Sequence, residues 1–250
     1  MTTDAHRPTD DRPAGADDAL ELLGLVAQLE HIAFVRLAAD SAIAPDVEQR
    51  LALSRFAAAA VERRDRVIAR IVELGGDAAR LLGEFDDVLE EFDARTQPST
   101  WWERLLKAYV GYGVADDFCR LAALALDDRS RQVVLEVLED ASHAELAVAE
   151  LDAAGSQDDV LSSRLALWGR RLVGEALSVV QRIIAQRPGL ARLAHEGQLA
   201  QHADDVAGQA AEPAQGAAPD ARPVGNAPAK IFGELTAQHT RRMSRLGLTA

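Results

Sequence analysis

The sequence predicts an all-α fold, a four-helix bundle with a crossover helix, a fifth long helix and a C-terminal helix. Hydrophobic residues make up 48% of the 250 residues, but aromatic residues make up only 4%. Alanine and leucine dominate, and these residues favour helices, whereas β-branched and aromatic residues favour strands. Apolar residues also recur at three- and four-residue steps over long segments, which is typical of helices with one buried face.

The first two predicted helices form an antiparallel hairpin. The first helix runs from about Asp17 to Asp40, and its apolar stripe consists of Leu22, Leu25, Val26, Leu29, Ala33, Phe34 and Leu37. Pro45 is well placed in the first turn of the second helix, because its fixed φ suits that position. The second helix extends to Leu74, where two successive glycines end it.

A shorter amphipathic helix at 77–94 is predicted to cross from this hairpin to the next pair. Thr100 and Glu103 have the spacing of a capping box, in which each side chain satisfies a backbone donor of the first turn. The next three long helices are predicted at 100–126, 129–154 and 158–187. Pro188 and Gly189 end the last of them.

Composition divides the chain into four segments. Residues 1–15 are polar and are predicted to be disordered, because they bury too little apolar surface to offset ordering entropy. Residues 16–198 form the bundle. Residues 199–228 are rich in alanine, proline, glycine and glutamine and are predicted to be a flexible linker. An apolar stripe returns in residues 229–250, which are predicted to form a helix that docks on the bundle.

Charge and cysteine content limit the partners and the compartment. The formal net charge is −13, from 27 basic and 40 acidic residues, and this repels nucleic-acid phosphates unless a basic patch is concentrated locally. One cysteine excludes an internal disulfide and suits a reducing compartment. The start has no signal-peptide pattern, and no uncharged run of about 18 residues could span a bilayer. We therefore expect a cytoplasmic protein without a membrane partner; a homodimer is compatible with the sequence.

Several carboxylates lie on the apolar faces of the predicted helices. Glu30 has apolar helical neighbours on the first helix, and Glu62 and Asp65 lie three residues apart on the second. On the third long helix Asp117 is predicted to point inward, whereas Asp116 lies nearer to Tyr109, Tyr112 and Cys119. A buried carboxylate needs a cation, a hydrogen-bond donor or a proton, so these positions predict either metal ligands or buried ion pairs.

Asp140 and His143 share one face of the fourth long helix, one turn apart. Ferritin-like di-iron bundles take a Glu from each of two helices and a Glu-x-x-His pair from each of the other two. The sequence thus predicts a metal site, with iron as the cofactor and room for two ions. Its predicted ligands are Glu30, Glu62, Asp65, Asp117, Asp140 and His143.

The sequence resembles actinobacterial ferritin-like proteins grouped with the tRNA isopentenyladenosine hydroxylases. The most specific stretch is Leu165-Ala166-Leu167-Trp168-Gly169-Arg170-Arg171-Leu172-Val173-Gly174-Glu175-Ala176. Leu29-Glu30, Pro98 to Trp101, His143-Ala144-Glu145 and His239 to Met243 also fit the family. The resemblance implies a ferritin-like bundle with a di-iron site, and its hydroxylase relatives use dioxygen to oxidise a tRNA base side chain.

The chain departs from this family pattern at positions that carry chemistry. Relatives have Glu-x-x-His on the second helix, where this chain has Glu62-Arg63-Arg64-Asp65. Tyr112 stands where relatives tend to carry an aspartate, and Asp140 is one methylene shorter than the usual glutamate. Arg63, Arg64 and Arg66 are predicted to form a solvated face, with the alternative that Arg66 neutralises Glu62.

Two functions follow from these observations. One is a non-haem iron oxygenase or hydroxylase that acts on a small molecule or a modified base; tRNA enters only through the resemblance, and the net charge opposes it. The other is a metal-poor scaffold or binding protein that keeps the bundle without catalysis. Iron storage is less well supported, because nothing in the sequence indicates a shell-forming assembly.

Overall fold

The computed structural model describes residues 15–139, 142–210 and 227–250. All regular elements within these ranges are helices. They are α1 (Ala16–Ile43), α2 (Val47–Glu73), α3 (Ala78–Gly83), α4 (Asp86–Arg95), α5 (Trp101–Leu106), a π-helical turn (Lys107–Gly111), α6 (Tyr112–Ala123), α7 (Asp128–Glu139), α8 (Ser142–Gly155), α9 (Asp159–Gln186), α10 (Pro188–Ala210) and α11 (Ala227–Arg245). The predicted all-α fold is confirmed.

Local sequence signals set the helix ends. Asp46 caps α2, which begins at Val47, by accepting a hydrogen bond from the Gln49 backbone N–H at 2.8 Å. Pro45 therefore lies before the helix and not in its first turn, where the sequence placed it. Thr100 caps α5 by accepting from the Glu103 N–H at 3.2 Å, and Asp158 caps α9 through two backbone N–H groups. Each side chain satisfies donors that a helix start leaves without partners. Gly75 takes a φ of +75° directly after α2, a conformation that glycine adopts without strain.

Helix α1 lies at the centre of the molecule. It packs along α2 and also contacts α3, α6, α7 and α10, so its first half is buried on nearly every side. Its length and mean hydropathy of 1.5 would suffice for a membrane span, but 56% of that window is buried inside the bundle. Burial of this kind is typical of the core helix of a soluble protein.

The third long helix predicted at 100–126 is interrupted by the π-helical turn. Lys107 in this turn is only 5% exposed, and its ammonium lies 2.6 Å from an Asp93 carboxylate oxygen. Gly111 passes close to the Phe92 ring, because a Cβ there would lie 3.1 Å from Phe92 Cζ. π-helical turns are often found at functional sites, and this one directly precedes Tyr112 at the bundle interior.

Helix α10 is the main departure from the predicted element order. It continues through residues 199–210, which the sequence assigns to the linker. Gly197 allows α10 to pack closely on α6, because a Cβ at that position would lie 1.9 Å from the Leu121 carbonyl oxygen. The alanine- and glutamine-rich composition gives little contrast between the two faces of α10, and so its periodicity does not reveal a helix.

Helix α11 docks on the bundle against α6, α9 and α10. It buries Ile231, Leu235 and Met243, and Leu246 directly after the helix is buried as well. Two glycines make room for it: a Cβ on Gly113 would meet the Arg242 guanidinium, and a Cβ on Gly169 would meet the end of Met243. The predictions for residues 1–14 and for the centre of the linker, 211–226, lie outside the described residues.

Candidate functional site

A buried ion pair joins α1 and α2 inside the bundle. Glu30 is 8% exposed and Arg63 is 5% exposed. Arg63 donates from Nε at 3.0 Å and approaches with Nη2 at 2.9 Å, both to Oε2 of Glu30. Such a contact offsets the high cost of taking two charges out of water. Arg63 therefore points inward and does not belong to the solvated face predicted for it.

A polar cavity of about 40 Å³ lies beside this ion pair. Its polar lining comes from Glu30, Arg36, Arg63, Tyr112 and Asp116, and its apolar lining comes from Leu29, Ala33, Val137 and Leu138. A cavity of this size has room for one or a few water molecules. It is too small for an organic substrate such as a nucleoside.

Arg36 brings a second guanidinium to the cavity. It lies over the Tyr112 ring, with its central carbon 4.6 Å from the ring centroid. Its Nε and Nη1 atoms are buried and have no hydrogen-bond partner among the described residues. Arg36 thus offers N–H donors at the cavity, where water or an anion can accept from them.

Tyr112 connects the cavity to the π-helical turn. Its hydroxyl donates to Asp93 at 2.6 Å, and the same Asp93 oxygen is held by Lys107. Burial raises the pKa of Tyr112 well above its ordinary value, against the opposing effect of Arg36. Burial also lowers the pKa of Lys107, although Asp93 acts in the other direction. Tyr112 therefore stays protonated at neutral pH and acts as a hydrogen-bond donor.

Asp116 and Asp117 point in different directions from α6. Asp116 lines the cavity, and burial raises its pKa while Arg120 and Arg242 oppose the shift. Asp117 instead accepts from Arg242 through both carboxylate oxygens, each at 2.6 Å, and from Arg120 at 3.3 Å. The structure thus places Asp116 at the bundle interior and Asp117 between α6 and α11, the reverse of the inward preference expected for this pair.

The other two described carboxylates of the predicted ligand set lie on the outside of α2. Glu62 is exposed, and the Asp65 side chain is 59% exposed and accepts from Arg64 at 2.8 and 3.0 Å. Arg66 is also exposed and makes no ion pair with Glu62 in the described part of the chain. The guanidinium that neutralises an interior carboxylate comes from Arg63 and not from Arg66.

The described residues do not assemble the predicted metal ligands. Glu30, Asp117 and the Glu62/Asp65 pair lie in three separate places, and the described chain contains no group of three or more His, Cys, Asp or Glu side chains suited to a metal. The described part of this donor set, with Glu30 held by an arginine, does not by itself fit two irons. Asp140 and the His143 side chain lie outside the described residues, so the full ligand set stays a prediction.

A spacing signal for Arg63 is present in the sequence. The buried face of α2 runs through Leu53, Ala57, Ala60, Arg63, Val67 and Ile71 in steps of three and four. Arg63 therefore occupies a core position of this stripe. For Asp116 the signal is weaker: its helical neighbours include the buried Tyr109 and Cys119, but α6 is covered on more than one side, so apolar neighbours do not single out one inward face.

Comparison with known families agrees with this bundle. No curated protein matches the chain. The model of a family described as a ferritin-like domain of actinomycetes matches residues 16–197, from the start of α1 into α10. The chain therefore belongs to this actinomycete family of ferritin-like domains.

Proposed function

We propose that this chain is a cytoplasmic, metal-poor scaffold or binding protein that uses the ferritin-like bundle without oxygen chemistry. The observation that carries the proposal is the contact between Arg63 and Glu30 at 2.9 Å. A guanidinium in the bundle interior supplies the positive charge that a metal ion would otherwise supply to this carboxylate. A cation at the same place would have to displace Arg63 and would be repelled by Arg36.

The competing function is that of a non-haem iron hydroxylase, which the resemblance to tRNA-modifying relatives suggests. It requires carboxylates and imidazoles that bridge and hold irons about 3.5 to 4 Å apart. Asp65, with its side chain 59% exposed beside Arg64, is not available for such a site without rotation of α2. The small size of the cavity also argues against a base substrate in the interior.

Metal analysis of the full-length protein tests this proposal. Protein purified from iron-supplemented cells is expected to contain substoichiometric iron and to gain none on anaerobic titration with Fe(II). Stoichiometric iron that is oxidised when dioxygen is admitted would overturn the proposal.

A matched pair of variants identifies the cause. Arg63→Ala removes the guanidinium beside Glu30 and leaves this carboxylate and Asp116 lining the cavity. It is therefore expected to raise Co(II) or Fe(II) binding above that of the wild type, whereas Arg66→Ala removes an exposed arginine from the same helix and should not. Equal metal binding by the wild type and both variants would show that Arg63 does not exclude a cation. Circular dichroism confirms that each variant is folded.

The proposal also excludes tRNA as a partner. Phosphate contacts are strongest at low salt, so a binding titration with total tRNA at low ionic strength is the most sensitive test. We expect no binding, because the net charge of −13 repels the backbone. Saturable binding would favour the hydroxylase function.

A further inference from the structure

Helix α2 carries a second apolar stripe on its outer face. Six apolar residues mark this outer stripe: Val47, Leu51, Ala58, Val61, Ile68 and Val72. Val47 is 66% exposed, Leu51 is 53% exposed and Val72 is 62% exposed. Ala58 is exposed as well, and Val61 and Ile68 are partly buried. Contacts with α1 therefore leave much of this stripe in solvent.

Two polar residues complete the regular spacing of the outer stripe. With Ser54 and Asp65 included, successive members alternate between steps of four and three along the whole of α2. This alternation is the repeat of a helix that packs lengthwise against another helix, as in a coiled coil. Exposed apolar residues on a soluble protein usually occur singly, so a full-length repeat indicates a partner helix.

The outer stripe is complementary to itself in the antiparallel direction. Two copies of α2 can be placed antiparallel around a two-fold axis near Ala58 and Val61. Ala58 of each copy then faces Val61 of the other copy. Leu51 then lies opposite Ile68 of the second copy, and Val47 lies opposite Val72 at each end. Every large apolar member thus meets an apolar member.

The polar members select the same arrangement. The antiparallel register places Ser54 opposite Asp65 of the second copy. The Ser54 hydroxyl, which donates to the Arg50 carbonyl oxygen in the single chain, can turn there to donate to the carboxylate. A parallel register would place the two Asp65 carboxylates against each other, which is repulsive. Two-fold symmetry creates this polar layer twice, and polar layers in an apolar seam are a known device for setting register.

Charges beside the outer stripe also match. Arg55 and Glu62 lie on the same edge of the stripe and are both exposed. Neither forms an ion pair within the described part of the chain. In the antiparallel register Arg55 lies near Glu62 of the second copy, and two-fold symmetry creates this pair twice.

We propose that α2 is the interface of a homodimer, in which the outer stripes of two copies of this chain pack antiparallel. Glu62 and Asp65, which the sequence suggests as metal ligands, are in this dimer a flanking charge and the polar layer of the seam. The interface does not depend on the metal content of the bundle.

The oligomeric state of the full-length chain tests the interface. Light scattering and sedimentation at micromolar concentration and 150 mM salt are expected to give the mass of a dimer. Leu51→Glu places a charge opposite Ile68 of the second copy on both sides of the two-fold axis and is expected to give a monomer with unchanged helix content. Val160→Glu changes a more exposed residue on α9, 70% exposed, and should stay dimeric. A monomeric wild type, or a Leu51→Glu dimer of undiminished affinity, would overturn the proposal.

A charge exchange tests the flanking pairs. Arg55→Glu and Glu62→Arg should each raise the dimer dissociation constant about tenfold, since each disrupts two exposed ion pairs. The double variant, which restores opposite charges, should recover most of the wild-type affinity. Additive weakening in the double variant would exclude this register.

Disulfide cross-linking of introduced cysteines tests whether the two copies of α2 run antiparallel. A mixture of Val47→Cys and Val72→Cys proteins is expected to form a disulfide between the two variants, because these positions face each other. Val47→Cys alone should not cross-link, and the native Cys119 is buried. Cross-linking of Val47→Cys with itself would indicate a parallel arrangement and contradict the proposal.

Discussion

Asp116 and Asp117 are adjacent in sequence, yet their side chains lie in two regions with different surroundings. Asp116 faces the interior cavity with Glu30, Arg36 and Arg63, whereas Asp117 is held between α6 and α11 by Arg242. In the interior cavity the charges are buried among apolar side chains. At the contact between α6 and α11 they fasten a terminal helix to the bundle.

The difference shows that carboxylates on an apolar helix face can have different structural roles. Asp117 makes a bidentate contact with a planar guanidinium, the geometry that gives strong charged hydrogen bonds. Asp116 makes no such contact with the described residues, and burial raises its pKa. Two neighbouring residues of one type therefore differ because one points to the bundle centre and the other points to a second layer of helices.

The largest loss of stability is expected when the buried ion pair in the bundle interior is broken. Arg63→Ala removes the guanidinium that contacts Glu30, and loss of one partner of a buried pair typically costs about 3 to 5 kcal/mol. Urea unfolding should show this loss in the free energy of unfolding. Arg66→Ala, an exposed arginine one turn along α2, should change it by less than about 0.5 kcal/mol. Similar values for the two variants would contradict the structural role assigned to Arg63.

A smaller effect is expected at the contact between α6 and α11. Arg242→Ala removes both hydrogen bonds to Asp117, and charged hydrogen bonds contribute about 1.5 to 3 kcal/mol. Limited proteolysis should then release α11 faster than from the wild type. Arg241→Ala is the control, because its side chain is 63% exposed and its contact with Glu234 is long, at 3.7 Å. Equal protease sensitivity of the two variants would argue against a fastening role for Arg242.

His239 on α11 makes the docking of this helix sensitive to pH. It is 2% exposed, and burial, together with Arg242, lowers its pKa to about 4. The unfolded state binds the proton more readily, so stability is complete above about pH 6.5 and falls as the pH decreases towards 4. Between pH 8 and 5.5 the loss should be about 1.4 kcal/mol.

His239→Phe provides the comparison for this pH dependence. Thermal unfolding of both proteins over the same pH range isolates the contribution of the imidazole, because the carboxylates are common to both. The wild type should lose more stability than the variant on acidification. Parallel curves would show that His239 does not titrate with unfolding.

The smallest effect is expected for Asp116→Asn. This change keeps the size of the side chain and removes a charge that burial already disfavours, so the free energy of unfolding should change by less than about 1 kcal/mol. Because the pKa of Asp116 is raised in the folded state, ionisation costs stability as the pH rises. The melting temperature of the variant relative to that of the wild type should therefore be higher at pH 8 than at pH 5. The opposite trend would contradict the interior placement of Asp116.

Local signals predicted much of the fold. Asp46, Thr100 and Asp158 cap helices at or near the predicted starts, and these contacts involve residues only two or three positions apart. The buried position of Glu30 also followed from its apolar neighbours on one helix. The C-terminal stripe correctly identified residues of α11 that are buried.

Other features could not be predicted from the sequence, for identifiable physical reasons. The π-helical turn shifts the register of α6 relative to a regular helix, so neighbours counted at a 3.6-residue period do not all share a face with Asp117. Helix α10 lacks contrast between its faces, and only the close approach of Gly197 to Leu121 shows how it packs. Arg63 lies in the buried stripe of α2. Because the sequence does not show a partner for its charge, it predicts a solvated side chain at this position.

By itself the sequence determined the helical class, most helix ends and the apolar faces, because capping, turn chemistry and hydrophobic periodicity act within one or two helical turns. Only the tertiary structure decided which guanidinium neutralises Glu30 and which of two adjacent aspartates faces the interior. Those outcomes depend on groups that lie far apart in the chain, such as Glu30 with Arg63 and Asp117 with Arg242. A charge acquires its role from the partner that folding brings to it.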